Sequence, residues 1–228
     1  MTRLAKLIAP VGLVLAATAA LPAYAQVDGR MATVDVTRTI IGTTAFQTAY
    51  EQVNTTYAEQ NNLRRTKAQE RQTMLTKFDK NKDNNIEGDE RVAMEKSPDY
   101  AKIQTLEQEI VGLSNQVDGA RVYAVEQIIT QYSSALQDVV TQQQIKLVID
   151  PGTLLYAPPE ADITQQVVAA LNARVPAVGV VPPSGWQPSR EGVQLYQEIQ
   201  QRLAIAAQLQ QQQAAQAQQG NPAAPVGR

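Results

Sequence analysis

Residues 79–90, D-K-N-K-D-N-N-I-E-G-D-E, gather the densest set of oxygen-bearing side chains in the chain. Calcium takes six to eight hard oxygen ligands, and a twelve-residue EF-hand loop offers them from positions 1, 3, 5, 7, 9 and 12. Counted from Asp79, those positions hold Asp79, Asn81, Asp83, Asn85, Glu87 and Glu90, with the main-chain carbonyl acting at Asn85. Ile86 falls at position 8, where such loops place an aliphatic residue, and Phe78 stands just before the loop. Position 6 holds Asn84 in place of glycine. The backbone turns there with positive φ, and asparagine is among the few other residues that visit that region. The same residues also suit an Asx-rich polar turn that binds nothing. Both readings stand on the sequence. As a lone loop, the calcium site is expected to be weak, on the order of 10⁻⁴–10⁻³ M.

Other chemistry has little to work with. The chain has no cysteine and no histidine, which removes thiol and imidazole nucleophiles, the usual zinc sites and disulfides. No nucleophile–base pair, phosphate loop or catalytic metal cluster is apparent. Asp35 and Asp150 are the nearest thing to paired carboxylates, and both read as acids at strand ends. The chain is therefore expected not to be an enzyme, and no cofactor is required, calcium at residues 79–90 being the one metal its pattern admits.

The elements that position this loop form a long helical hairpin over residues 44–143. On its return helix Ile103, Leu106, Ile110, Leu113, Val117, Ala120 and Ala124 recur in steps of three and four, the seam of one helix packed lengthwise on another. Ser97, Pro98 and Asp99 make a start signal for that helix. Run unbroken from Pro98 to Gln143, it would measure roughly 70 Å at 1.5 Å per residue, so it should project as an arm. The outgoing helix, residues 44–78, is expected to be capped by Thr43 or Thr44. It carries Phe46, Tyr50, Val53 and Tyr57, then Gln60, Arg64, Lys67 and Arg71 on the same face, then Met74, Leu75 and Phe78. If the hairpin closes near Gly88, the apolar residues 103–113 lie opposite the polar residues 60–71. That leaves apolar surface incompletely covered, and such surface usually marks an interaction site. The candidate binding residues are accordingly Arg64, Lys67, Arg71, Ile103, Leu106, Ile110 and Leu113. Beyond Ala124 the stripe widens through Val122, Val125, Ile129, Leu136, Val139 and Val140, as the arm enters a body or an oligomer interface.

Residues 31–36 and 145–149 read as strands, 154–156 as a short third strand, and 37–44 as a polar turn. The strands are too few to be stable alone, so chains are expected to share them. Asp162 and Gln165 open a helix reaching Arg174. Pro176, Pro182, Pro183 and Pro188 make a stiff linker carrying Trp186, the single tryptophan. Ser189 caps a final helix with Val193, Tyr196, Ile199, Leu203 and Ala206 at helical spacing, and the Gln/Ala run after residue 208 frays into a disordered tail. At the other end, Arg3 and Lys6 precede an apolar run over residues 7–21 and an Ala23-Tyr24-Ala25 cleavage site, a signal peptide too short to span a membrane. Cleavage after Ala25 removes two of the 20 basic residues against 22 acidic ones, so the mature chain has no global attraction to nucleic acid. The expected divisions are 1–25 signal, 26–175 main domain, 176–188 linker, 189–218 helix and 219–228 tail.

Three stretches resemble the Skp/OmpH family of periplasmic chaperones: T-V-D-V-T-R at residues 33–38, I-K-L-V-I-D at 145–150 followed by L-L-Y-A at 154–157, and D-I-T-Q-Q-V-V-A-A-L-N at 162–172. Their order and spacing also agree, with a long helical insert between them. The resemblance implies an α+β, mostly α fold in which a small β body carries a long antiparallel helical arm, assembled as a homotrimer. It also implies a periplasmic, ATP-independent holdase whose partners are unfolded outer-membrane β-barrel proteins, with no nucleic acid and no stable membrane insertion. Two features depart from the family pattern: the acidic balance of the mature chain, and the calcium-like tip with everything after Val175. They support a competing reading, a calcium-binding structural protein of the envelope in which the coil is a spacer.

Overall fold

The computed structural model describes residues 29–219; the expected signal peptide and the last nine residues of the expected tail lie outside them. Strand β1 (Arg30–Thr33) is followed by α1 (Val36–Gly42), α2 (Thr44–Thr56), α3 (Ala58–Leu75), α4 (Gly88–Glu95), α5 (Tyr100–Ile129), α6 (Tyr132–Gln142), β2 (Ile145–Ile149), α7 (Thr164–Arg174) and α8 (Arg190–Gln219). The α+β, mostly α architecture is as expected: β1 and β2 form a two-stranded parallel sheet with Met31 against Leu147 and Thr33 against Ile149. More than a hundred residues, most of them helical, separate the two strands, ample for the crossover that a parallel pair requires.

Four local expectations are corrected. Residues 34–36 do not continue β1 and residues 37–44 are not a turn. The Asp35 side chain accepts a hydrogen bond from the Arg38 N–H at 2.9 Å, and this N-cap turns Val36–Gly42 into a helix. Residues 154–156 do not form a strand, because prolines at 151, 158 and 159 set 3₁₀ turns on both sides and, among the described residues, no strand pairs with them. The outgoing arm helix is interrupted at Tyr57 and ends at Leu75. The return helix starts at Tyr100 and is interrupted at residues 130–131, where the Thr130 hydroxyl donates back to the Glu126 carbonyl at 2.6 Å, a contact that bends helices.

The caps at Thr43 and Ser189 form as expected: their hydroxyls accept from Phe46 N–H at 3.2 Å and Gly192 N–H at 2.9 Å. The main core joins β1, α1 and the root of the arm to α6, α7 and α8 through Ile40, Ile128, Ile163, Leu171 and Ile199, all fully buried. Val125, Ala135 and Val139 lie in the same core, and Ile129, Leu136 and Val140 are half-buried against it, so the wide stripe after Ala124 packs largely within its own chain. A second cluster at the arm root contains Ala49, Val53, Val117, Ala120, Ala124 and, from the linker, Val180. The terminal helix lies back on the body: Arg202 pairs with the buried Asp35 at 2.7 Å, and Thr37 donates to Glu198 at 2.9 Å.

Candidate functional site

The candidate residues lie along the α3–α5 arm and at its tip. None of the residues of α3 is buried, yet it runs antiparallel on α5. Lys67 Nζ lies 2.6 Å from Glu109, Arg71 Nη1 3.2 Å from Glu107, Glu70 3.0 Å from Lys102 and Lys77 2.8 Å from Asp99. The hydrogen bond from Lys102 to Glu70 raises the lysine's pKa above its ordinary value. These pairs centre the hairpin close to Gly88, the expected closure.

This register sorts the expected binding residues by their cover. Lys67 and Arg71 are spent on Glu109 and Glu107, so they close the arm and do not form a free basic strip. Ile103 and Leu106 are each 2% exposed, covered within the arm, whereas Ile110 and Leu113 remain half-buried. Arg64 is half-buried on the same face. The exposed apolar residues of the mid-arm are Leu63 and Val111, at 44% and 56%. Neither keeps the three-and-four spacing of the seam, which places both off the packed face. The uncovered apolar surface is therefore centred on Leu63, Ile110, Val111 and Leu113.

At the tip, Asn84 has φ +65° and Lys82 φ +61°, so asparagine does adopt the left-handed turn required at position 6. Asp79 Oδ2 accepts from Asn84 N–H at 3.0 Å, and Glu90 Oε1 accepts from Lys80 N–H at 2.8 Å. Asp83 accepts from Asn85 N–H at 2.8 Å, and Asn81 from Asp83 N–H at 3.1 Å. Asp79 Oδ1 is buried without a hydrogen-bond partner. Glu87 stands at the cap position of α4 and makes no side-chain cap bond. Thus position 1 keeps an oxygen in reserve and the loop has the right turn. Against this, among the described residues no three acidic side chains converge as a metal cluster would. The donor set fits calcium in its order along the chain but is not gathered into a cage.

A separate arrangement lies at the arm root. The linker crosses the groove between α2 and α5, where the Gln127 amide brackets Gly179, donating to its carbonyl at 2.9 Å and accepting from its N–H at 3.0 Å. Trp186 packs edge-on to Tyr123 at 5.3 Å between centroids, and its indole N–H donates to Glu126 at 3.1 Å. The sequence places Trp186 in the linker without showing its partners, because Tyr123 and Glu126 are about sixty residues away.

Among the described residues no helix is long and apolar enough to cross a membrane. Searched against curated proteins, the chain has no match. It is similar to a crystal structure from Caulobacter crescentus CB15 named as an OmpH-like outer membrane chaperone, at 19% identity over 69% of this chain and 94% of that one, with a TM-score of 0.39. The family model for outer membrane protein (OmpH-like) matches residues 30–171, a span running from the first residue of β1 to the buried Leu171 of α7. The chain belongs to the OmpH-like family of outer membrane proteins.

Proposed function

We propose that the protein is a periplasmic, ATP-independent holdase that shields unfolded outer-membrane β-barrel proteins, acting as a homotrimer. The family match across the body and arm carries this reading. The body supports it: two strands make a sheet too small to stand alone. Around that sheet Leu155 is fully exposed, Tyr156 81% and Met31 54% exposed, apolar area that further copies of the chain would cover. On the arm, Leu63, Ile110, Val111 and Leu113 offer apolar surface to a client. The test is dilution of a urea-unfolded outer-membrane β-barrel protein into buffer with and without the mature chain, without nucleotide. Client scattering should be suppressed, and Ile110→Asp with Leu113→Asp should weaken suppression while leaving the oligomer intact. Unchanged aggregation with the wild type would remove the reading.

A second proposal concerns the tip: residues 79–90 bind one calcium ion weakly, with the unpartnered Asp79 Oδ1 and the left-handed Asn84 as the observations in its favour. On this reading calcium stiffens the arm tip of the chaperone and is not needed for the fold.

A further inference from the structure

We infer that the arm has a built-in bend point at Tyr57 on one helix and Gly119 on the other, and that residues 178–203 are a splint holding this level to the body. Both arm helices are weak there. The outgoing helix breaks at Tyr57, which separates α2 from α3. The return helix α5 continues but carries Gly119 in its interior, where only proline is less favourable than glycine. The two points share one level, because Tyr57 packs against the cluster that holds Val117 and Ala120, on either side of Gly119. Helix α5 has a second glycine, Gly112, nearer the tip. The ion pair between Lys67 and Glu109 places that one beside the unbroken α3.

One continuous segment beyond the family match, which ends at residue 171, ties this level to the body. Val180 enters the cluster of Val53 and Val117, and its carbonyl accepts from the Tyr57 hydroxyl at 3.3 Å. Trp186 covers Gly119, where an added Cβ would lie 3.9 Å from the indole ring. On the residue beside that glycine, Asp118, the Tyr196 hydroxyl donates at 2.6 Å, and the Gln200 amide donates to the Tyr50 hydroxyl at 2.9 Å. The same helix then reaches the body: Ile199 is fully buried in the main core and Arg202 pairs with Asp35 at 2.7 Å. A bend at Tyr57 and Gly119 must therefore break contacts on one side of the splint or the other.

Glu126 is the clasp between the linker and α8. It accepts from the Trp186 indole N–H at 3.1 Å and from the Ser189 N–H at 2.6 Å. Gly192 lets the first turn of α8 come this close, since a Cβ there would lie 2.6 Å from the Glu126 Cγ. On the holdase reading a splinted root fixes how far an arm swings around a client, whereas the splint itself stands on these contacts alone.

The chain has no cysteine, so Gln69→Cys on α3 and Gln165→Cys on α7, both exposed, give two spin-label sites in the full mature protein. Diluting labelled into unlabelled chain restricts the signal to distances within one chain. Pulsed electron resonance should give one narrow distance distribution. Glu126→Ala with Trp186→Ala should broaden it while far-ultraviolet circular dichroism stays unchanged. Adding Gly119→Ala should narrow it again and slow amide exchange at residues 117–121 about fivefold, the worth of alanine over glycine inside a helix. Lost packing alone would not be reversed in this way. Gln127→Ala, which removes only the amide bonds to Gly179, is the milder variant and should broaden the distribution less. A broad distribution in the wild type would overturn the splint. So would a strap variant in which exchange at residues 178–189 speeds up while the arm distance stays narrow. Broadening that Gly119→Ala leaves in place would overturn the bend at Gly119. Client suppression is measured separately, so a failed splint leaves the holdase reading standing, and the reverse.

Discussion

Single side chains on this molecule mostly act through partners that lie far along the chain. Tyr196 is half-buried and donates to Asp118 at 2.6 Å; burial first, and then that bond to a carboxylate, push its pKa up to about 12. Burial, with Asp35 and Asp150 nearby, likewise pushes Tyr132 up to about 12. The folded state thus holds these protons more tightly than the unfolded chain, whose tyrosines titrate near 10. Stability from this source is complete below pH 10 and is lost as pH rises from about 10 to about 12. Denaturant midpoints measured across that range should fall, and Tyr196→Phe should flatten the fall while lowering stability at neutral pH through the lost bond. At the tip, the proposed calcium site predicts one weak site per chain by calorimetry. It should be lost in Glu90→Ala or Asp79→Ala and strengthened in Asn84→Gly, because glycine adopts φ +65° without strain. No heat at millimolar calcium would leave the loop an Asx-rich turn.

At the scale of elements, α1 and α3 show two ways in which charged side chains help to hold a helix in place. Helix α1 depends on Asp35, which caps its first turn and pairs with Arg202 of α8. Asp35→Ala removes both interactions and should cost about 2 kcal/mol by the usual worth of a cap and a charged hydrogen bond. Urea denaturation measures it, and the loss should exceed that of Arg202→Ala, which leaves the cap in place. Helix α3 is laid on α5 by ion pairs exposed to solvent, each worth roughly 0–1 kcal/mol. Lys67→Glu alone should therefore speed amide exchange across α3, and the exchanged pair Lys67→Glu with Glu109→Lys should restore it. High salt should act as the single variant does, since it screens exposed pairs. The root of the arm, packed around Val53 and Val117, should stay protected in every case.

For the whole molecule, the proposed assembly would use a different surface from the one the hydrophobic pattern suggests. Val139 is 4% exposed within its own chain, so Val139→Asp should unfold the protomer rather than separate copies. Leu155 and Tyr156, in contrast, project from the body beside a two-stranded sheet. Light scattering on the mature wild type should give a multiple of the protomer mass, three on the family resemblance. Leu155→Asp with Tyr156→Asp should lower it while far-ultraviolet circular dichroism stays unchanged. A folded wild-type monomer at micromolar concentration would rule out the assembly.

Local rules were enough to read much of this chain. The seam from Ile103 to Ala124, the caps at Thr43 and Ser189, the strand at Ile145–Ile149, the order of the calcium-like donors and the closure near Gly88 each depend on residues within a few turns of one another. Repeat spacing and capping chemistry therefore expose them directly. The α1 helix was locally encoded too, by Asp35, but the β-branched run before it spoke for a strand. Tertiary structure decided the rest. Whether Lys67 and Arg71 face a client or Glu109 and Glu107, whether Ile103 is open or covered, and whether residues 178–180 wave free or lie against Gln127 are settled by pairings across tens of residues. Sequence spacing does not measure those distances, and the free energy of each comes from burial and charge pairing that exist only once the chain has folded back on itself.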